Sequence, residues 1–100
     1  MSIRKMKIQQ GYTVYQIPTE EIVKLRKIDC FGNLCDSCNQ TIEETYYIPV
    51  LNWGMCKSCF EDWKQRAIFY QEDLDFENTN MLWLEKWCDR LNINIEMVEN

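Results

Sequence analysis

Apolar and polar positions alternate in GYTVYQI (residues 11–17), a period of two that predicts a short β-strand. Pro18 and Thr19 then open EEIVKLRKI, where the spacing becomes helical. TYYIPVLNW (residues 45–53) is dense in β-formers and predicts one arm of a hairpin. Pro49 has no N–H to give a ladder and so confines that arm to a sheet edge. Gly54 breaks the strand, and CKSCFEDWKQRAIFY (56–70) predicts a helix with Phe60, Trp63, Ala67 and Tyr70 on one stripe. Residues 75–78 read as a loop before a helix over 80–91, in which Met81, Leu84, Cys88 and Leu91 recur at helical spacing. NINIEMV (92–98) returns to period two, as a last strand able to pair with the N-terminal one. Such a mixture predicts a small α+β class. The whole chain, 1–100, reads as a single domain: strand and helix over 1–30, a cysteine-bearing core over 34–70, and helix and strand over 71–100. It contains no repeat, flexible linker or low-complexity tract.

Composition adds a constraint. In 100 residues an apolar core alone gives modest stability, so a metal or disulfide staple matters. With 46% hydrophobic and 13% aromatic residues the chain lies far from the composition of disorder and is expected to fold. No apolar run approaches the ~20 residues of a membrane span, and MSIRKMKIQQ has basic residues but no apolar export segment. The expectation is a soluble, cytoplasmic protein. Net charge is −5, unevenly placed: residues 1–27 carry six bases against two acids, and the rest five bases against fourteen acids. Most of the molecule therefore repels nucleic-acid phosphates. Arg4, Lys5 and Lys7, the one candidate contact patch together with Tyr12 and Tyr15, read first as a solvated end.

The chemistry lies in the cysteines. Cys35-x2-Cys38, a 17-residue spacer and Cys56-x2-Cys59 have the spacing of a four-cysteine zinc site. Each Cys-x-x-Cys turn aims two sulfurs at one ion, and two turns close a tetrahedron without an open position, so one structural Zn²⁺ is expected and hydrolytic zinc chemistry is not. Disulfides need an oxidising compartment, a thioredoxin-like pair belongs in a βαβ setting, and iron–sulfur spacings differ. No histidine competes as a ligand. Cys30 and Cys88 read as core packing, with Cys30 also a spare ligand or free thiol. The absence of histidine, of a nucleophile elbow and of a phosphate-cradling glycine loop gives enzyme chemistry no support.

Gly32 and Asn33 before the first pair, β-formers between the pairs, and a helix opening on CKSC together resemble a treble-clef zinc finger over residues 34–70. That resemblance implies a metal-stapled binding module and leaves the partner open. QEDLDFEN places Glu72, Asp73, Asp75 and Glu77 within six residues, with Glu43, Glu44, Glu61 and Asp62 able to extend one negative face. Ala67 is the only alanine, and Ile, Asn, Lys and Glu are plentiful, a bias expected from AT-rich coding DNA. In size, acidity and coding character, and with CDSC and CKSC for metal, the chain resembles by type the small metal-binding anti-CRISPR proteins of phages and mobile elements. What this implies is an inhibitor that binds an RNA-guided type II nuclease, whose basic channel holds nucleic acid, and denies it target DNA. A zinc-finger adaptor or transcription regulator of bacterial or phage origin is the alternative. Trp83 and Trp87, an i, i+4 pair beside the Leu84 and Cys88 face, read first as buried; because two adjoining apolar faces exceed the need of a small core, one of them is also a candidate anchor for a partner.

Overall fold

The computed structural model describes residues 2–28, 31–32 and 34–98. Strands β1 (Ile3–Lys7) and β2 (Thr13–Ile17) are followed by helix α1 (Thr19–Arg26). Strands β3 (Thr45–Ile48) and β4 (Trp53–Met55), helix α2 (Lys57–Arg66), a 3₁₀ turn (Gln71–Asp73), helix α3 (Leu74–Arg90) and strand β5 (Ile95–Met97) complete the order. The strands form one sheet, β4-β3-β2-β1-β5, antiparallel except for the β1–β5 pair. The α+β class read from the sequence holds. The Cα radius of gyration, 12.7 Å, matches the ~13 Å of a compact domain of this length. Among the described residues no helix is long and apolar enough to cross a membrane.

Strand periodicity divides the core into two layers. Val14, Tyr46 and Ile48 point to one face, where they pack with Ile8, Tyr12, Met55, Phe60, Trp63 and the cysteine-bearing segment. Tyr15, Ile17 and Tyr47 point to the other, where they meet Ile22 and Leu25 of α1 and Leu84 and Cys88 of α3. Both faces are covered, which explains why TVYQI and TYYI are buried almost throughout. Tyr46 stacks on Phe60 at 4.6 Å between centroids, joining sheet to α2. Trp63 and Cys88 are buried, as the helical spacing predicts. Cys30 lies outside the described residues.

Several elements differ from the sequence reading, each for a tertiary reason. β3 is an interior strand, paired with both β2 and β4; Pro49 lies just past its last pair, Ile48↔Trp53, in the turn where Asn52 adopts φ 57°. Gly54 is a β4 residue and breaks nothing. TYYIPVLNW thus spans one strand, its turn and the start of the next.

The helix expected to run to Tyr70 stops at Arg66, with Ala67 extended. The phenol of Tyr12 accepts the Tyr70 N–H at 3.0 Å and can donate to Asp73 Oδ2 (2.8 Å) or the Ile68 carbonyl (3.1 Å). This hydroxyl holds residues 68–73 as a strap against the sheet and leaves Tyr70 half-exposed.

Residues 75–78, read as a loop, are helical. Asp75 and Glu77 sit in the first turn of α3, where carboxylates suit the macrodipole. Poor helix formers are accommodated because Thr79 Oγ1 donates to the Asp75 carbonyl (2.9 Å) and Asn80 Nδ2 to the Pro49 carbonyl (2.8 Å).

β1, read as a solvated basic end, is a strand that pairs with both β2 and β5. Ile3 is fully buried, and the Lys5 ammonium pairs with Glu85 of α3 at 2.8 Å. The Tyr15 hydroxyl donates to the same carboxylate. Burial raises the Glu85 pKa, but the Lys5 and Tyr15 hydrogen bonds outweigh it and hold the group below the usual carboxylate value.

Candidate metal centre

The four cysteines singled out by spacing converge. Cys35 and Cys38 frame a tight turn: the Asn39 N–H returns to the Cys35 carbonyl at 2.8 Å, and Asn39 takes the left-handed conformation that a short polar side chain tolerates. Cys56 is the N-cap of α2 and Cys59 lies in its first turn. The chain thus runs turn, β3–β4 hairpin, helix, with one sulfur pair at each end of the hairpin.

Asp36 locks the first turn to the hairpin. Its N–H donates to the Gly54 carbonyl (2.9 Å), and its Oδ2 accepts the Gly54 N–H (2.8 Å). A Cβ on residue 54 would stand 2.9 Å from Thr45 Cγ2, so only glycine permits this approach. Asp36 did not stand out in the sequence, and Gly54 stood out only as a strand breaker, because the role of each depends on the other.

The Sγ atoms of Cys35, Cys38, Cys56 and Cys59 all lie within 4.8 Å of one another, and Cys38 and Cys56 are 3.9 Å apart. Four sulfurs each ~2.3 Å from a tetrahedral ion would be separated by about 3.8 Å, so the set could hold one metal ion with little movement. Its burial is graded: Cys35 is buried, Cys56 and Cys59 are partly covered and Cys38 is exposed. As free thiols the sulfurs share protons unequally. Burial pushes Cys35 up, but N–H groups of Cys56, Cys38 and Ser37 and the Cys38 side chain outweigh it and bring it down to about 6. At Cys59 the Ser37 side chain pulls down, while Cys56, burial, Cys38 and Cys35 push it up to about 12. Cys35 is thereby biased toward the thiolate that a metal needs, and metal binding displaces protons from the cluster.

The acidic residues proposed to face a partner differ in exposure. Glu72 and Asp75 are exposed. Asp73 is half-buried and accepts the Tyr12 hydroxyl. Glu77, expected among exposed carboxylates, is only 3% exposed and accepts the Thr13 N–H at 2.9 Å. The phase of α3 decides this: residues 77, 81, 84 and 88 face the sheet together. Burial raises the Glu77 pKa despite the Thr13 hydrogen bond and nearby Lys7. Its charged form therefore costs stability at neutral pH, a cost that lessens as pH falls through the folded-state pKa. Glu77→Ala is expected to lose about 1–3 kcal/mol by orphaning the Thr13 N–H. Glu77→Gln keeps an acceptor and removes the charge, and should be near neutral or stabilising. Urea unfolding of both variants separates this structural role from a surface role, which would leave stability unchanged in either.

The two tryptophans also separate. Trp87 is partly buried, with the Arg90 guanidinium 5.2 Å from its ring centre. Trp83 is 37% exposed and leans on Phe31 and Tyr47. No family model matches this chain, and neither a curated protein nor a solved structure matches it.

Proposed function

We propose that this protein is a non-catalytic, zinc-stapled binding module, treble-clef-like in its metal core, that acts by covering a surface of another protein. The observation that carries the reading is the four-thiol cluster itself. Zn²⁺ held by four thiolates has no position left for water or substrate, so its contribution is to the fold. Placement agrees: the cluster ties the hairpin to α2 beneath one core layer. Acidity supports a basic partner. Four thiolates around Zn²⁺ add about −2 to the formal −5 of the chain. With Lys5 engaged by Glu85, the N-terminal basic patch offers less to nucleic acid than its composition implies.

The most specific form of this reading is anti-CRISPR inhibition, in which the acidic protein binds an RNA-guided type II nuclease and blocks target DNA. Size, charge and the exposed Glu72 and Asp75 support it. The alternative is a zinc-finger adaptor or transcription regulator. A guide-loaded type II nuclease titrated with this protein should lose DNA binding near one molecule per nuclease. Association should slow with added salt, because screening shortens the reach of the field to ~8 Å at physiological ionic strength. Glu72→Gln with Asp75→Asn should raise the amount needed several-fold with the zinc content unchanged. Equal potency would remove the acidic segment from the mechanism; no inhibition at any ratio would return the protein to the adaptor class.

A further inference from the structure

We propose that the groove beside Trp83 receives an arginine side chain of the basic partner, an inference that rests on the protein-binding function above. The groove has a volume of about 580 Å³ and lies between the first cysteine turn, the open end of the β3–β4 hairpin and α3. Three aromatic rings wall it. Phe31 and Tyr47 are 5.2 Å apart between centroids, Phe31 and Trp83 6.3 Å, and Tyr47 and Trp83 6.4 Å, with planes inclined at 77°, 66° and 50°. Tyr47 is buried and backs the groove, whereas Trp83 is 37% exposed, and a cation is attracted to an aromatic face within ~6 Å.

Formal charge in the groove is of one sign, beside the neutral polar side chains of Thr45, Asn52, Thr79 and Asn80. Its described lining carries one carboxylate, Asp36, and no lysine or arginine. Asp36 uses Oδ2 for the Gly54 N–H, and a carboxylate has capacity for further donors. Thr45, only 1% exposed, also lines the groove, and its hydroxyl has no hydrogen-bond partner among the described residues. Arg26 reaches the rim, but its guanidinium is turned to the carbonyls of Gly32 (3.4 Å) and Ile42 (3.3 Å).

This combination selects among ligand classes. A purely apolar group would desolvate Asp36 and give it nothing in return, and an anion would be repelled by it. An ammonium satisfies the carboxylate but has no planar face to lay on Trp83. A guanidinium does both: it stacks on aromatic rings and carries five donors in a plane. Exposure of Trp83 is then the open side of a receiving site, which gives the sequence's surplus tryptophan a purpose.

The test uses Nα-acetyl-arginine methylamide, with the citrulline analogue as its neutral isostere, titrated into the zinc-loaded protein and followed by ¹H–¹⁵N NMR. Saturable shifts are expected at Gly54, Thr45 and the Trp83 indole N–H, with citrulline at least about tenfold weaker, the size of one charge-assisted hydrogen bond. Asp36→Asn should weaken arginine by a similar factor, and Trp83→Ala should abolish the response. Should Trp83→Ala lose zinc or spectral dispersion, Trp83→Leu keeps apolar contact with Phe31 and Tyr47 while removing the π-face, and is expected to lose arginine binding alike. Absence of saturable shifts, equal response to citrulline, or shifts confined to other parts of the protein would overturn the proposal. Nuclease inhibition that persists when the groove ignores arginine would remove the groove and leave the function. Arginine uptake without inhibition would do the reverse.

Discussion

Cys38→Ser is expected to lose the metal and, with it, the layer of the fold that contains α2. The wild-type protein should hold one zinc per chain by elemental analysis. The argument is one of magnitudes. Structural zinc in small peptides is bound with an apparent ~10–16 kcal/mol at neutral pH, whereas a domain of this size is stable by only about 5–15 kcal/mol in total. The site is also placed where it cannot be lost locally. Cys56 and Cys59 set the start of α2, whose Phe60 and Trp63 cover Tyr46 and Tyr12. Freed from the cluster, α2 is a ten-residue helix, below the ~12–15 residues at which isolated helices become even marginal. Far-UV circular dichroism should show a large fall in the melting temperature, and a chelator should reproduce it in the wild type. Cys88→Ser should keep its zinc, because Cys88 is buried in the opposite layer. Unchanged melting of Cys38→Ser, a wild type without metal, or loss of zinc in Cys88→Ser would each refute the ligand assignment. Protons compete for the sulfurs, so zinc affinity should fall as pH is lowered, and binding at pH 7 should release protons, Cys59 being the thiol that holds its own most firmly.

The metal site was legible because its information is local: a thiol pair two residues apart can chelate one ion in any fold, and only the meeting of the pairs was left to the tertiary structure. The β-forming run likewise identified β2, although the folded chain buries both of its faces rather than alternate positions. β1 was not legible. Its burial depends on a parallel partner more than 90 residues away, Ile95 beside Ile3, and on Glu85 neutralising a lysine that composition alone assigns to solvent. Pro49 shows a sound local rule placed on the wrong element. Proline does avoid ladder positions, and the chain meets that requirement by putting it in the turn. For the acidic run, charge count identified a negative segment but could not say which carboxylates face outward; that depends on where α3 begins. Its start was hidden because residues 75–78 read as a loop, whereas Thr79 and Asn80 find hydrogen-bond partners that only the folded chain supplies. The groove at Trp83 was half legible. A surplus aromatic face could be counted on α3, whereas Phe31, Tyr47 and Asp36 come from three other segments.

Leu84→Ala is expected to give the second largest loss, and one different in kind from that of the zinc ligands. Leu84 is fully buried at the centre of the layer formed by α1, α3 and the sheet, with Tyr15, Tyr47 and Cys88 in the same cluster. Truncating a buried leucine removes its transfer free energy and leaves a cavity, typically about 2–5 kcal/mol together. The upper half of that range applies where neighbours cannot collapse. Here Tyr15 and Tyr47 are fixed at their far ends by hydrogen bonds to Glu85 and Asn52, which resist movement into the space. At roughly 4–8 °C per kcal/mol for a domain of this length, a loss of about 4 kcal/mol lowers the melting temperature by some 16–32 °C. The four-cysteine site lies across the sheet, so the folded variant should still bind one metal per chain. That is the discriminating result: thermal melting and metal content fall together in Cys38→Ser, and melting falls alone in Leu84→Ala. A Leu84→Ala protein that melts within about 2 °C of wild type would mean that α3 is not packed on the sheet through this residue, and loss of zinc from its folded form would mean that the two layers are not separated by the sheet as the strand periodicity places them.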